Sequence, residues 1–241
     1  MKDHQDAFGS AMLEFFHSGE GCEIIERDDS FVDASIGPSV YFLEFAQWPD
    51  HYKKAMPYAH GRVLDVGCGA GRHTLYLQGE GHQVTAVDNS PKAIQVCRMR
   101  GVKDARILPI TKISRHIEPF DTILMLGNNF GLFANPQRAK RILKRFHYLT
   151  FPEGTLIAES VDPYQTERPE HLEYHQFNKQ RGRMAGQIRM QVRFRKFKTP
   201  WFDYLIVSQN EMREIITGTG WKVSKIIESQ GPAYIAVLGK E

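Results

Sequence analysis

Residues 62–78 read RVLDVGCGAGRHTLYLQ, an apolar run that breaks into three alternating glycines and resumes in a helical pattern. Strand, tight turn and helix is the expected order, because glycine reaches backbone angles that a Cβ forbids and lets the chain approach a ligand closely. The following helix turns its free N–H groups and the positive end of its dipole toward that turn. A polar or anionic ligand is expected there.

Outward from this stretch, short apolar strands alternate with helical segments. The strands are RVLDVG (62–67), QVTAVD (83–88), ARILPI (105–110), DTILMLG (121–127) and TLIAES (155–160), with helices near 71–79, 91–99 and 136–149. Such alternation predicts an α/β fold with a doubly wound, mostly parallel sheet, which places ligands outside the carboxyl ends of the strands. Near the end, Asn210 or Ser208 is positioned to cap a helix, EMREIITGTG, which is followed by WKVSKIIES and AYIAVLGK. Only SQGP separates these last two strands, so they must run antiparallel.

Four segments follow from the change of pattern. Residues 1–60 read as a helical cap, with helices near Ala11–Phe16, over SVYFLEFAQW (39–48) and over DHYKKAM (50–56), and a strand-like stretch in CEIIERDDSF (22–31). Phe42, Phe45 and Trp48 sit at helical spacings and are expected on its buried face. Residues 61–160 form the ligand-binding core, 161–208 an antiparallel β insertion after the fifth strand, and 209–241 complete the core sheet. Within the insertion IRMQVRF (188–194) alternates strictly. Lys198–Phe202 is expected as a turn, and DYLIVS (203–208) as the partner strand.

With 241 residues and 41% hydrophobic content the chain suits one full-sized core, and collagen-like, coiled-coil and wholly disordered readings are excluded. Apolar runs are too short to span a bilayer and the first residues lack a secretory pattern, so a cytoplasmic location without membrane partners is expected. Cys22, Cys68 and Cys97 form neither a CxxC pair nor an even set, and reduced thiols are expected. The net charge of +3 is too small to mark a nucleic-acid binder.

Two ligand classes use a loop of this kind. A dinucleotide fingerprint needs a small sixth residue where Arg72 stands, which weakens a nicotinamide reading. Asp65, two residues before the first glycine, suits a ligand with an amino group and would repel a pyrophosphate. Asp88 closes the next strand and can accept both hydroxyls of a ribose, although a helix-capping role before Pro91 is the competing assignment. Asn89 stands beside it.

The segments VLDVGCGAGRHTLYL and VTAVDNS, then FDTILMLGNNFGLF and a terminal GTGWKV, resemble the class I S-adenosylmethionine-dependent methyltransferases from about Gly61 to Glu241, apart from the insertion. The resemblance implies S-adenosyl-L-methionine as cofactor and a seven-stranded sheet whose last strand is antiparallel. Residues matching Asp65, Gly67, Cys68, Gly69 and Gly71 would line the methionine part of the cofactor and Asp88 the ribose; Asn89, Gly127 and Asn128 are assigned to the same cofactor. The acid that often meets the adenine amine is missing. ARILPITKIS offers only Thr111 or Ser114, which leaves the adenine to backbone groups.

Methyl transfer from a sulfonium needs positioning and water exclusion more than acid or base help, so a conspicuous catalytic residue is not required. Beyond the fourth strand, Asn129 is expected to orient the acceptor and Phe130 to exclude water, although the Asn pair also suits a plain turn. NPPY and Pro-Cys are absent, which removes support for two nucleobase chemistries. The insertion is expected to form a lid. Its Arg181, Arg183, Arg189, Arg193, Arg195, Lys196 and Lys198 fit either an acidic substrate or a solvated strand face. His171, Glu173 and His175 alternate as on one strand face; a metal is not expected, and His175 or Tyr174 is the candidate base. The expected function is methylation of O, N or S of a small molecule, with an RNA or protein acceptor, or a nicotinamide oxidoreductase, as alternatives.

Overall fold

A computed structural model describes residues 1–34, 37–114, 117 and 119–241. In chain order the elements are α1 (Ala7–Ser18), β1 (Ile24–Arg27), β2 (Val32–Ala34), α2 (Asp50–Ala55), β3 (Arg62–Val66), α3 (Arg72–Gly79), β4 (Gln83–Asp88), α4 (Pro91–Met99) and β5 (Ala105–Ile107). They continue as β6 (Phe120–Met125), α5 (Pro136–Tyr148), β7 (Thr150–Val161), α6 (Pro169–Gln180), β8 (Gln187–Phe194), β9 (Phe197–Lys198), β10 (Phe202–Leu205), α7 (Gln209–Ile216), β11 (Trp221–Glu228) and β12 (Ala233–Lys240).

The core sheet has seven strands in the order β11-β12-β7-β6-β3-β4-β5. β3, β4 and β5 pair in parallel, as do β6 and β7, whereas β12 is antiparallel to both β7 and β11. The short SQGP connection demanded that last reversal. A second sheet has the order β10-β8-β1-β2, with β9 on β8.

The chain divides into two compact units, one of Met1–Trp48, Gly61–Ile113 and Met190–Phe202, the other of Pro49–His60, Ser114–Arg189 and Asp203–Glu241. In the first, α1 lies on α4 through small residues and one carboxylate. Ala7 and Ala11 pack with Val192 and Phe194, and Met12 with Ala70, Ala93 and Val96. Asp6 caps α1 at the Gly9 N–H (3.1 Å) and also accepts the Ser90 hydroxyl (2.7 Å) and the Lys92 N–H (3.1 Å). Removing it in Asp6→Ala deletes a cap and strands two buried donors, so a loss of about 2 kcal/mol is expected in urea unfolding, and a change below about 0.5 kcal/mol would contradict this role.

In the second unit, Asn135 caps α5 at the Arg138 N–H (2.9 Å), and α5 buries Ala139, Ile142, Leu143 and Phe146. Fully buried Trp221 donates from its indole N–H to the Leu143 carbonyl (3.0 Å). Ser208, one of two candidates from sequence, caps α7 in a capping box with Glu211.

The strand-like stretch of the amino-terminal segment forms β1, which pairs with β2 and with β8 of the insertion. Three expectations are corrected. No helix forms over 39–48. Two 3-10 turns, Pro38–Phe42 and Phe45–Gln47, replace it, and the Arg72 and Arg100 guanidiniums take the Val40 and Tyr41 carbonyls that a helix would use for its own N–H groups. Of the three aromatics there, Trp48 is buried, while Phe45 lies partly exposed, stacked on Tyr76 at 4.3 Å. The hairpin turn of the insertion sits at Arg195–Lys196, with Phe197–Lys198 pairing back on β8. His171, Glu173 and His175 lie on α6 rather than on a strand, so alternate positions diverge instead of sharing a face. Among the described residues no group of three or more such side chains could hold a metal, and no helix is long and apolar enough to cross a membrane.

Candidate active site

In the first unit the backbone leaves β3 through Gly67, Gly69 and Gly71, all left-handed at φ 75°, 55° and 79°. The Gly67 and Cys68 N–H groups donate to the Val87 carbonyl (2.8 and 3.2 Å), which ties the loop to the end of β4. Gly71 is needed for packing as well as for its angle: a Cβ there would lie 2.8 Å from Val102 Cγ2 and 3.1 Å from Cys97 Sγ. Cys68 and Cys97 are buried free thiols whose sulfurs are 3.8 Å apart.

Two carboxylates flank this loop. Asp65, on β3, is buried and accepts the Thr74 hydroxyl at 2.6 Å. Burial pushes its pKa up to about 6; the negative charge of Asp88 adds to the rise, and Thr74 and Arg72 oppose it. Asp88, half-buried at the end of β4, accepts the Gly69 N–H through Oδ2 (3.1 Å) and the Ser90 N–H through Oδ1 (2.9 Å). Desolvation raises its pKa too, against the Ser90, Gly69 and Asn89 amides, with Asp6 adding to the rise. The capping assignment for Asp88 does not hold, since Ser90 caps α4 at the Ala93 N–H (2.9 Å). Asn89 is exposed beside it.

Arg72, at the position that weakens a dinucleotide fingerprint, lies with its guanidinium 5.8 Å from the Trp48 ring centre. His73 is buried with its ring edge-on to Trp48 at 4.9 Å, and desolvation, aided by Arg72, holds it well below the usual imidazole range. It is a neutral packing residue. Thr111 falls in a 3-10 turn, Ile110–Lys112, that follows Pro109.

In the second unit the chain beyond β6 turns through Gly127 and Asn128, both left-handed at φ 77° and 62°. Their N–H groups donate to Glu159 Oε2 at 2.6 and 2.8 Å. Glu159, on β7, is 3% exposed, and it also accepts the Tyr52 hydroxyl at 2.8 Å. His51 Nε2 stands 3.6 Å from Glu159 Oε1. The Tyr204 hydroxyl donates to the Asn128 carbonyl, and the Asn128 Oδ1 is buried without a hydrogen-bond partner. Asn129 is half-buried at the start of the turn Asn129–Phe133. Phe130 is fully buried, edge-on to Phe133 at 5.0 Å.

The insertion's two candidate bases differ in surroundings. Tyr174 is 2% exposed and its hydroxyl oxygen accepts the Arg189 N–H at 3.0 Å, whereas His175 packs its ring 5.8 Å from Tyr164. Four of the insertion's basic residues meet acids within their own unit: Arg193 meets Glu26 (2.7 Å), Arg195 meets Glu14 (2.8 Å), and Arg183 and Arg189 meet Asp203 (2.9 and 3.5 Å). Sequence reasoning missed Glu159, Tyr52 and His51. The one available signal was an acid inside the buried apolar run TLIAES, where an unpaired charge would be expensive.

Residues 63–154 match the methyltransferase domain family. A ubiquinone biosynthesis O-methyltransferase of Xylella fastidiosa is 39% identical over 119 residues, 47% of each chain. A glycine/sarcosine N-methyltransferase of Halorhodospira halochloris is 30% identical over 104 residues, 41% of this chain and 39% of that one. The chain thus spans about half the length, or less, of these curated relatives. A solved S-adenosylmethionine-dependent methyltransferase of Bacteroides fragilis, in complex with S-adenosyl-L-homocysteine, superposes with a TM-score of 0.85 at 27% identity, over 100% of this chain and 97% of that one. With the sheet order and the glycine loop, these matches give residues 63–154 the likeness of a methyltransferase domain and the chain the Rossmann-like fold of S-adenosylmethionine-dependent methyltransferases.

Proposed function

We propose that the chain is an enzyme that transfers the methyl group of S-adenosylmethionine to an oxygen, nitrogen or sulfur of a small molecule. The observation that carries this reading is Asp88, a desolvated carboxylate already bonded to the Gly69 N–H and set at the end of β4, where a ribose diol can supply two further donors. Asp65 supplies a charge for an ammonium group, and Gly67, Cys68, Gly69 and Gly71 offer backbone to the methionine portion. Asn128 Oδ1 is a buried acceptor in want of a donor. The cofactor supplies a methyl carbon already activated on sulfur; what the protein must add is orientation and exclusion of water. Gly127 and Asn128 are assigned to the cofactor, and Asn129 and Phe130, which follow them outside the carboxyl end of β6, to the acceptor. Calorimetry with S-adenosylhomocysteine against NAD tests the cofactor, and labelled-methyl transfer into fractionated extract tests the acceptor. Label in RNA or protein fractions would replace the small-molecule assignment, and no binding of S-adenosylhomocysteine at millimolar concentration would overturn the reading.

Asp65 gives this binding a pH signature. Its pKa of about 6 lies above the ordinary 3.8, so folding disfavours the charged form. Its contribution to the stability of the ligand-free protein is therefore fully present below about pH 4 and declines by about 3 kcal/mol as pH rises to about 6. An ammonium-bearing ligand selects the charged form. Affinity for S-adenosylhomocysteine is expected to rise toward tenfold per pH unit below pH 6 and to level off above, with proton release visible as buffer-dependent binding heat. Asp65→Asn should abolish that release; an affinity flat from pH 5 to 7 would disprove the contact.

A further inference from the structure

The carboxylate of Glu159 organises more than a loop. It receives the Gly127 and Asn128 N–H groups and the Tyr52 hydroxyl, and His51 Nε2 stands 3.6 Å from its Oε1. His51 is 8% exposed and its Nε2 has no hydrogen-bond partner, although its ring lies 4.4 Å from that of Tyr52 on the same helix. A buried imidazole with an unmade hydrogen bond is a burden that a phenylalanine at this position would avoid. A buried carboxylate that comes within hydrogen-bond reach of one imidazole nitrogen can do what the acid of a catalytic triad does, holding the proton on that nitrogen and leaving a lone pair on the other. The 3.6 Å separation is longer than a hydrogen bond, and catalytic contacts of this kind tighten when the partner binds.

We infer that His51, oriented by Glu159, is the general base for a phenolic acceptor, a proposal that rests on the methyltransferase reading above. The juxtaposition joins the base and the loop after β6 through one carboxylate. A phenol keeps its proton near neutral pH and gains from an imidazole lone pair that accepts it, whereas a thiol is already partly ionised without help. The phenol O–H bond breaks and its proton passes to His51 Nδ1. The oxygen lone pair forms the bond to the methyl carbon as the carbon–sulfur bond breaks, with that electron pair leaving on sulfur. The imidazolium then gives its proton to water.

Two measurements test this. In the first, para-nitrophenol is titrated into the full chain saturated with S-adenosylhomocysteine at a pH one unit below the phenol's own pKa. The bound probe is expected as the yellow phenolate in the native protein and as the neutral phenol in His51→Gln. In the second, a series of para-substituted phenols is methylated at one pH. His51→Gln is expected to lose about 100-fold in kcat or more and to become steeply dependent on phenol pKa, while its S-adenosylhomocysteine affinity stays within twofold. A bound probe that remains neutral in the native protein overturns the inference, and so does a variant that loses less than threefold. Either result, with nucleoside binding and methyl transfer intact, leaves the methyltransferase reading standing; loss of nucleoside binding by the native chain removes both. Should His51→Gln fail to fold, the probe spectrum of the native protein still decides.

Discussion

Asp88→Ala is expected to weaken S-adenosylhomocysteine binding by at least 100-fold while changing the unfolding midpoint little. The carboxylate takes the Gly69 and Ser90 N–H groups and, in the complex, would take a ribose diol. Hydrogen bonds to a charged group contribute about 1.5–3 kcal/mol each, so losing two to the ligand removes about 3–6 kcal/mol, and the loop loses its anchor as well. Stability behaves differently. The raised pKa means that the charged form is disfavoured by its surroundings, so the ligand-free protein gains relief from desolvation that offsets the lost amide bonds. Asp88→Asn, which keeps one acceptor oxygen, should fall between the two in affinity. A calorimetric dissociation constant within threefold of the native value in Asp88→Ala would refute the ribose assignment.

Gly71→Ala is expected to have the larger effect on folding, a loss of about 2–5 kcal/mol. The residue sits at φ 79°, and a Cβ would stand 2.8 Å from Val102 Cγ2 and 3.1 Å from Cys97 Sγ. The left-handed angle costs about 1–2 kcal/mol with a side chain, and overpacking a filled core about 1–3 kcal/mol. Neither neighbour is free to retreat, since Cys97 and Val102 belong to the buried cluster with Cys68, Ala86, Ile94 and Ala105. Adding Val102→Ala should recover part of the packing share and none of the angular share, which separates the two causes by a double-mutant cycle in urea. Native-like unfolding of Gly71→Ala would mean that the loop relaxes at no expense, contrary to its packing.

Much of the architecture was legible because it rests on local chemistry. The glycines before Arg72, the cap at Ser208, the proline opening α4 and the short SQGP link each constrain a few neighbouring residues, and the observed elements follow them. The glycine loop belongs to this class, since strand, glycines and helix are contiguous. Segment 39–48 was misread for the opposite reason. Its carbonyls are taken by Arg72 and Arg100, 32 and 59 residues away, and no periodicity records such a competitor. The pairing of β1 with β8 is of the same kind, because strand partners distant in sequence leave no mark in either strand.

The linear chain thus settled the elements whose causes lie within a turn or two of each residue, together with the glycine loop and the carboxylate that follows it. Folding alone brought Tyr52 and His51 to Glu159, a meeting across 107 residues for the tyrosine, and it alone committed the Tyr174 hydroxyl to the Arg189 amide. The physical reason is the reach of the forces involved. Backbone angles and caps act between neighbours, whereas the charge, desolvation and hydrogen bonding of a buried carboxylate depend on whatever the fold places beside it.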